Sequence, residues 1–103
     1  MKTIRGSSIY QNWIENLRDS RARYRILARI KRLESGNAGD VKPVGEGVSE
    51  MRIDYGPGYR VYYKDVGMEI IILLCGGDKS SQCADIDRAK QIAAQYIGGE
   101  DGS

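Results

Sequence analysis

Residues 48–64 constrain the fold most strongly, because apolar and polar side chains alternate on both sides of Gly56-Pro57-Gly58. From Val48 to Tyr55, Met51, Ile53 and Tyr55 share one face while Glu50, Arg52 and Asp54 share the other. From Tyr59 to Lys64, Tyr59, Val61 and Tyr63 stand against Arg60, Tyr62 and Lys64. A period of two belongs to a half-buried strand and is incompatible with a helix. Pro57 has its φ pre-set for a turn and Gly58 is free to take positive φ, so the three residues read as a tight loop. That loop sets Tyr55 opposite Tyr59, Ile53 opposite Val61 and Met51 opposite Tyr63. It also sets Asp54 opposite Arg60, Arg52 opposite Tyr62 and Glu50 opposite Lys64. The second set makes an outer face of cations, carboxylates and a phenol, expected to meet water and to carry any chemistry.

Glu69–Cys75 is a continuous apolar run and reads as a central strand covered on both faces, with residues 65–68 turning into it. Residues 36–47 are Gly-rich and read as a linker holding a short strand around Val41–Val44; another short strand is possible at Lys2–Arg5. Ser7 or Ser8 caps a helix expected from Ile9 to Arg18, with Ile9, Trp13 and Leu17 recurring every four residues and Ile14 beside them. A second helix, forming a hairpin with the first, is expected from Ser20 to Ser35, with Ala22, Ile26, Ile30 and Leu33 inward and Gly36-Asn37 as its stop. A last helix runs from a Ser80 or Ser81 cap to about Tyr96, and residues 98–103 read as a disordered tail. The whole is one domain over residues 1–97, since 103 residues with 41% hydrophobic composition bury one modest core.

The chain has no histidine, which removes the commonest general base, the commonest metal ligand and every Ser-His or Cys-His nucleophile pair. Neither a metal nor a cofactor is expected. Met1–Ser8 is polar and basic with no apolar run behind it, so neither a signal peptide nor a spanning helix is expected, and the reading is a cytoplasmic protein with no membrane partner. Cys75 and Cys83 then read as free thiols. Charge is segregated: residues 1–34 hold nine Lys/Arg against three Asp/Glu, and the rest holds seven against eleven. On the second helix Arg21, Arg25, Arg29 and Arg32, led by Arg18, fall along one stripe. The stripe suits RNA, a ribosome or an acidic partner, and equally the solvated face of an ordinary surface helix.

The stretches GNAGDVKPVGEGVSEMRIDYGPGYRVYY (Gly36–Tyr63) and LLCGGDKSSQ (Leu74–Gln82), with the Trp13 helix and the RI…RI…RL pattern of the second helix, resemble the addiction-module killer proteins. These form a HigB-like branch of the RelE/ParE toxin superfamily, and the resemblance covers roughly residues 1–97. It implies an α+β fold with an antiparallel sheet of about four strands, two N-terminal helices packed on it and a C-terminal helix. It further implies the toxin of a type II toxin–antitoxin system, partnered by a helix-turn-helix antitoxin that carries the complex to operator DNA. RelE-branch relatives are mRNA endoribonucleases acting on the ribosome without metal. ParE-branch relatives inhibit DNA gyrase without enzymatic chemistry, and fold alone does not choose between the branches. A binding module with a degenerate catalytic cluster is a third reading.

In the RelE-like toxins a strand cation, the arginine of the GYR turn and a basic residue after the last strand form the catalytic cluster. The resemblance carries these onto Arg52, Arg60 and Lys79, all basic here. Arg60 matches the motif best, and its planar fork suits a phosphate; its structural alternative is an ion pair with Asp54. Lys79, next to the last helix, is alternatively a solvated loop lysine. Tyr62, Lys64 and Gln82 are candidate RNA contacts by proximity, Tyr62 by stacking on a base, and Arg25 and Arg29 by their place on the basic stripe. Cys83, Ala84 and Asp85 stand where some RelE-type toxins carry a tyrosine for proton transfer, which leaves Tyr62, Lys64, Gln82 and Asp85 as the acid–base candidates by proximity.

Overall fold

In the computed structural model, which describes residues 1–67 and 69–96, the chain runs β1 (Thr3–Gly6), α1 (Ser8–Glu15), α2 (Ser20–Glu34), β2 (Val41–Gly45), β3 (Val48–Ile53), β4 (Tyr59–Asp65), β5 (Ile70–Gly77), a 3₁₀ turn (Lys79–Ser81) and α3 (Gln82–Ala94). The strands form one sheet in the order β1-β5-β4-β3-β2. β1 lies parallel to β5 and every other pair is antiparallel. The expected α+β class holds, but the sheet is mixed and five-stranded rather than antiparallel with about four strands. Both short segments contribute a strand, and residues 41–45 add an edge to β3 through a Glu46-Gly47 turn. Both residues of that turn have positive φ, 55° and 80°, as a two-residue hairpin that follows the twist of its strands requires. The expected tail at 98–103 lies outside the described residues.

Capping decides where the helices begin. The Ser7 hydroxyl accepts the Tyr10 N–H at 3.0 Å and donates to the Leu74 carbonyl at 2.6 Å, which fixes the start of α1 to β5. Asp19 accepts the N–H groups of Arg21 and Ala22 at 3.0 and 3.1 Å and opens α2. An N-cap sits in extended backbone, so the chain must leave α1 before Asp19. α1 stops at Glu15, short of the expected Arg18, and residues 16–18 lead into that cap.

Tyr10 and Ile14 of α1 and Ile26, Ile30 and Leu33 of α2 pack on Met51, Ile53, Val61, Tyr63, Ile71 and Leu73. The opposite face receives Ala89, Ile92 and Ala93 of α3 over Val48, Tyr62, Ile72, Leu74 and Cys75. The face expected to meet water is therefore roofed by α3. With α1 and α2 filling one side, the apolar stripe of α3 has only the other side to cover. β5, sheathed on both faces, is the continuous apolar run that the sequence implies.

A bulge in β5 sets what α3 sees. Tyr63 pairs with Leu73 but Tyr62 pairs with Cys75, so Leu74 is an extra residue and the inside–outside alternation shifts after it. Leu74 and Cys75 consequently both lie on the α3 side. Gly76 then turns to α1, where a Cβ would overlap the Trp13 ring, and Gly77 turns to α3, where a Cβ would overlap the Asp85 carboxylate.

Candidate functional site

β3 and β4 pair Ile53 with Tyr59, Arg52 with Arg60, Met51 with Val61, Glu50 with Tyr62 and Val48 with Lys64. The loop spans residues 54–58, and the register is displaced by two from the expected one. A two-residue slip keeps every side chain on its face but changes every partner. The expected pairs Asp54–Arg60, Arg52–Tyr62 and Glu50–Lys64 therefore do not form. Tyr55 is the reason: its N–H donates to the Ile53 carbonyl at 2.9 Å and its own carbonyl accepts the Gly58 N–H at 3.1 Å, which draws it into the turn. Its ring lies 4.7 Å from the Arg25 guanidinium, a cation–π contact that holds it there.

The slip makes Arg52 and Arg60 direct cross-strand neighbours, an arrangement that is repulsive unless charge is supplied to meet it. Arg52 reaches Asp40 at 3.0 Å in an exposed ion pair, which contributes on the order of 1 kcal/mol or less. Arg60 lies 3.6 Å, Nε to Oε2, from Glu50, with side chains 11% and 0% exposed. The Arg60 Nη1 donates to the Gly58 carbonyl at 2.7 Å, so the guanidinium is fixed to the hairpin loop.

Glu50 is the centre of the buried polar cluster. Its Oε2 accepts the Tyr62 hydroxyl at 3.1 Å and the Gln82 amide at 2.8 Å, while Oε1 has no hydrogen-bond partner among the described residues. Burial, and then the neighbouring Glu50 carboxylate, push the ionisation of the Tyr62 phenol well above its ordinary range, so it stays a proton donor. Sequence reading put Glu50 on the outer face without singling it out. The signal was a carboxylate within an alternating strand; what the sequence did not reveal is that α3 would enclose it.

The 3₁₀ turn brings in Lys79, whose N–H donates to the Pro57 carbonyl at 3.4 Å and whose exposed side chain stands beside the hairpin loop. Asp78 caps this turn; the Ser80 hydroxyl holds its carboxyl below the usual carboxylate range. Asp85, a buried residue of the first turn of α3, accepts the Ser81 hydroxyl. Arg60 and Gln82 thus meet at Glu50, with Arg52 the cross-strand partner of Arg60 and Lys79 beside the hairpin loop.

The remaining candidates take other roles or other places. Tyr62 is fully buried, so the expected stacking on a base is corrected: its ring packs under α3 and its hydroxyl serves Glu50. Lys64 is four residues along β4 from Arg60, about 13 Å away, and donates to the Glu46 carbonyl at 3.4 Å. Arg25 and Arg29 are on α2, over the opposite face. Arg29 donates to the carbonyls of Arg52 at 2.6 Å, Ala38 at 3.0 Å and Asp40 at 3.3 Å, clamping α2 to the sheet edge. With Arg21, Tyr24, Arg25 and Arg32 it lines a separate groove of about 790 Å³ that also holds Asp54.

Cys75 is buried and Cys83 exposed, both free thiols. Among the described residues no group of three or more His, Cys, Asp or Glu side chains is placed to hold a metal ion. No helix among them is long and apolar enough to cross a membrane.

No protein-family model matches the chain. An uncharacterized protein of Haemophilus influenzae is 49% identical over 92 residues, a span covering 89% of this chain and 93% of that protein. Identity at this level over nearly both full lengths marks shared descent.

Proposed function

We propose that this chain, which belongs to one family with the uncharacterized Haemophilus influenzae protein, is a toxin that cleaves messenger RNA on the ribosome and is neutralised by a helix-turn-helix antitoxin. The observation that carries the reading is the direct cross-strand pairing of Arg52 with Arg60. A fold gains nothing from opposing two cations on adjacent strands, whereas a site for a phosphodiester does. Lys79, at the mouth of the same hairpin, supplies a third cation.

The reaction is attack of a ribose 2′-oxygen on the adjacent phosphate. The O2′–P bond forms, the P–O5′ bond breaks, one proton leaves the 2′-oxygen and another reaches the 5′-oxygen. Products are a 2′,3′-cyclic phosphate and a 5′-hydroxyl end. Negative charge gathers on the phosphoryl oxygens in the transition state, and prepositioned cations lower its energy most where water is excluded. Arg60 fits that task because its side chain is 11% exposed, its Nη1 is held by the Gly58 carbonyl and its Nε lies 3.6 Å from Glu50. Arg52 and Lys79, more exposed, fit the binding of flanking phosphates. Glu50 is fully enclosed, so its part is to position Arg60 and Gln82 and not to touch RNA.

The test is a cell-free translation reaction with the native chain and the Arg60→Ala variant, both checked for folding by circular dichroism. Messenger RNA breaks are mapped by primer extension with and without ribosomes. Breaks that require ribosomes and vanish in Arg60→Ala are expected. Growth arrest with intact RNA would sink the reading and redirect attention to gyrase.

A further inference from the structure

The geometry points to a second, base-binding subsite separate from the arginine pair, in a groove of about 740 Å³ between α1 and α3, in which a nucleobase of single-stranded RNA stacks on Trp13. The inference rests on the ribonucleic-acid substrate proposed above and adds where one of its bases goes.

The groove exists because β1 is too short. β1 pairs with Ile70–Leu73 and ends at Gly6, after which the chain turns into α1. Cys75, Gly76 and Gly77 therefore have no strand beside them on that edge. α1 covers one face there and α3 the other, and Gly76 forms part of the lining between them. Because Gly76 has no side chain, the Trp13 ring lies directly across its backbone. The ring is held against Tyr59, 6.4 Å between centroids at 62°, and Tyr10, 6.3 Å at 46°. A half-buried indole fixed in this way is a stacking platform that loses little freedom when a base arrives.

Two amides flank the ring on α1. Asn16 Nδ2 donates to the Asn12 carbonyl at 2.7 Å and to Asn12 Oδ1 at 3.1 Å. That arrangement orients both side chains and leaves Asn12 Nδ2 and Asn16 Oδ1 without a partner among the described residues. A donor beside an acceptor is the complement of a base edge, and single-stranded RNA is read by such contacts combined with stacking. Arg88 of α3 closes the groove; it is exposed and forms no ion pair among the described residues, as suits a backbone phosphate.

Gly77 is the ladder partner of Arg60 and shares its α3 face, whereas Gly76, the next residue back along β5, faces α1. Trp13 and the Arg60 side chain therefore lie on opposite faces of the sheet, and the groove is a site distinct from the arginine pair.

Trp13 is the only tryptophan of the chain, so its fluorescence reports this groove alone. The native protein is titrated without ribosomes, at low salt, with a single-stranded hexanucleotide RNA of mixed purines. Saturable quenching is expected, with the midpoint moving at least tenfold upward in Arg88→Ala and in Asn12→Ala, both exposed positions. Arg60→Ala should abolish cleavage in the translation assay yet leave quenching saturable. Absence of quenching up to millimolar RNA, or quenching that neither groove variant alters, overturns the subsite even where cleavage is found. Quenching with the expected variant pattern, in a protein that fails to cleave, upholds the subsite and rejects the ribonuclease reading alone.

Discussion

The Glu50–Arg60 pair allows a quantitative prediction, because it is enclosed enough for charge to matter. At the observed 3.6 Å, two unit charges attract by about 5 kcal/mol at an effective dielectric constant of about 20. Exposures of 0% and 11% leave little room for solvent screening. Glu50→Gln keeps an acceptor for Tyr62 and Gln82 but strands the Arg60 charge; Arg60→Met strands the Glu50 charge. Each single change should cost about 3–5 kcal/mol, the range found when one partner of a buried pair is removed. The double variant strands neither charge and should cost only about 1–2 kcal/mol, so the two changes are strongly non-additive, with a coupling of about 4–9 kcal/mol. Urea unfolding monitored by Trp13 fluorescence yields all four stabilities, and a domain of this size typically has about 5–15 kcal/mol to lose. A coupling below about 1 kcal/mol is the value of a surface pair. That result would refute the claim that Glu50 and Arg60 are a desolvated unit, and with it the positioning role of Glu50.

Gly77→Ala should destabilise by about 1–3 kcal/mol, since the new methyl group displaces the Asp85 carboxylate and breaks its bond to Ser81; a melting temperature unchanged within a degree would count against it. Asp19→Ala, which removes the cap of α2, should cost about 1 kcal/mol in urea unfolding, whereas Asp19→Asn should cost much less. Burial pushes the Cys75 thiol up from its usual 9.0 to about 12, so a thiol reagent at pH 8 should label Cys83 alone until the protein unfolds. Between about pH 9 and 12 the folded state keeps a proton that the unfolded thiol has released; stability should therefore fall as pH rises through that window, by at most about 1.4 kcal/mol per pH unit from this group, and Cys75→Ala should flatten the decline.

How much of this was legible in the sequence depended on how local each determinant is. Caps and apolar stripes act within one turn of helix, so Ser7, Ala22, Ile26, Ile30 and Leu33 took the expected roles. The faces of β3 and β4 follow from period two and were also right, although the ladder slipped by two. The slip escaped because it depends on Tyr55 preferring the turn and the Arg25 guanidinium over a place opposite Tyr59, a contact between distant parts of the chain. The Arg52–Arg60 pairing could not be read from alternation, which permits either register. Enclosure of Glu50 and Tyr62 is one step further from the sequence. It requires α1 and α2 to occupy one face, α3 the other, and the Leu74 bulge to turn Gly77 towards Asp85 so that α3 can settle closely. A polar residue on a strand was therefore correctly located but wrongly hydrated. Its chemistry changed with that: Tyr62 became a buried donor to Glu50 instead of a surface for RNA, and the stacking role passes to Trp13, a residue that the helical pattern presented only as core.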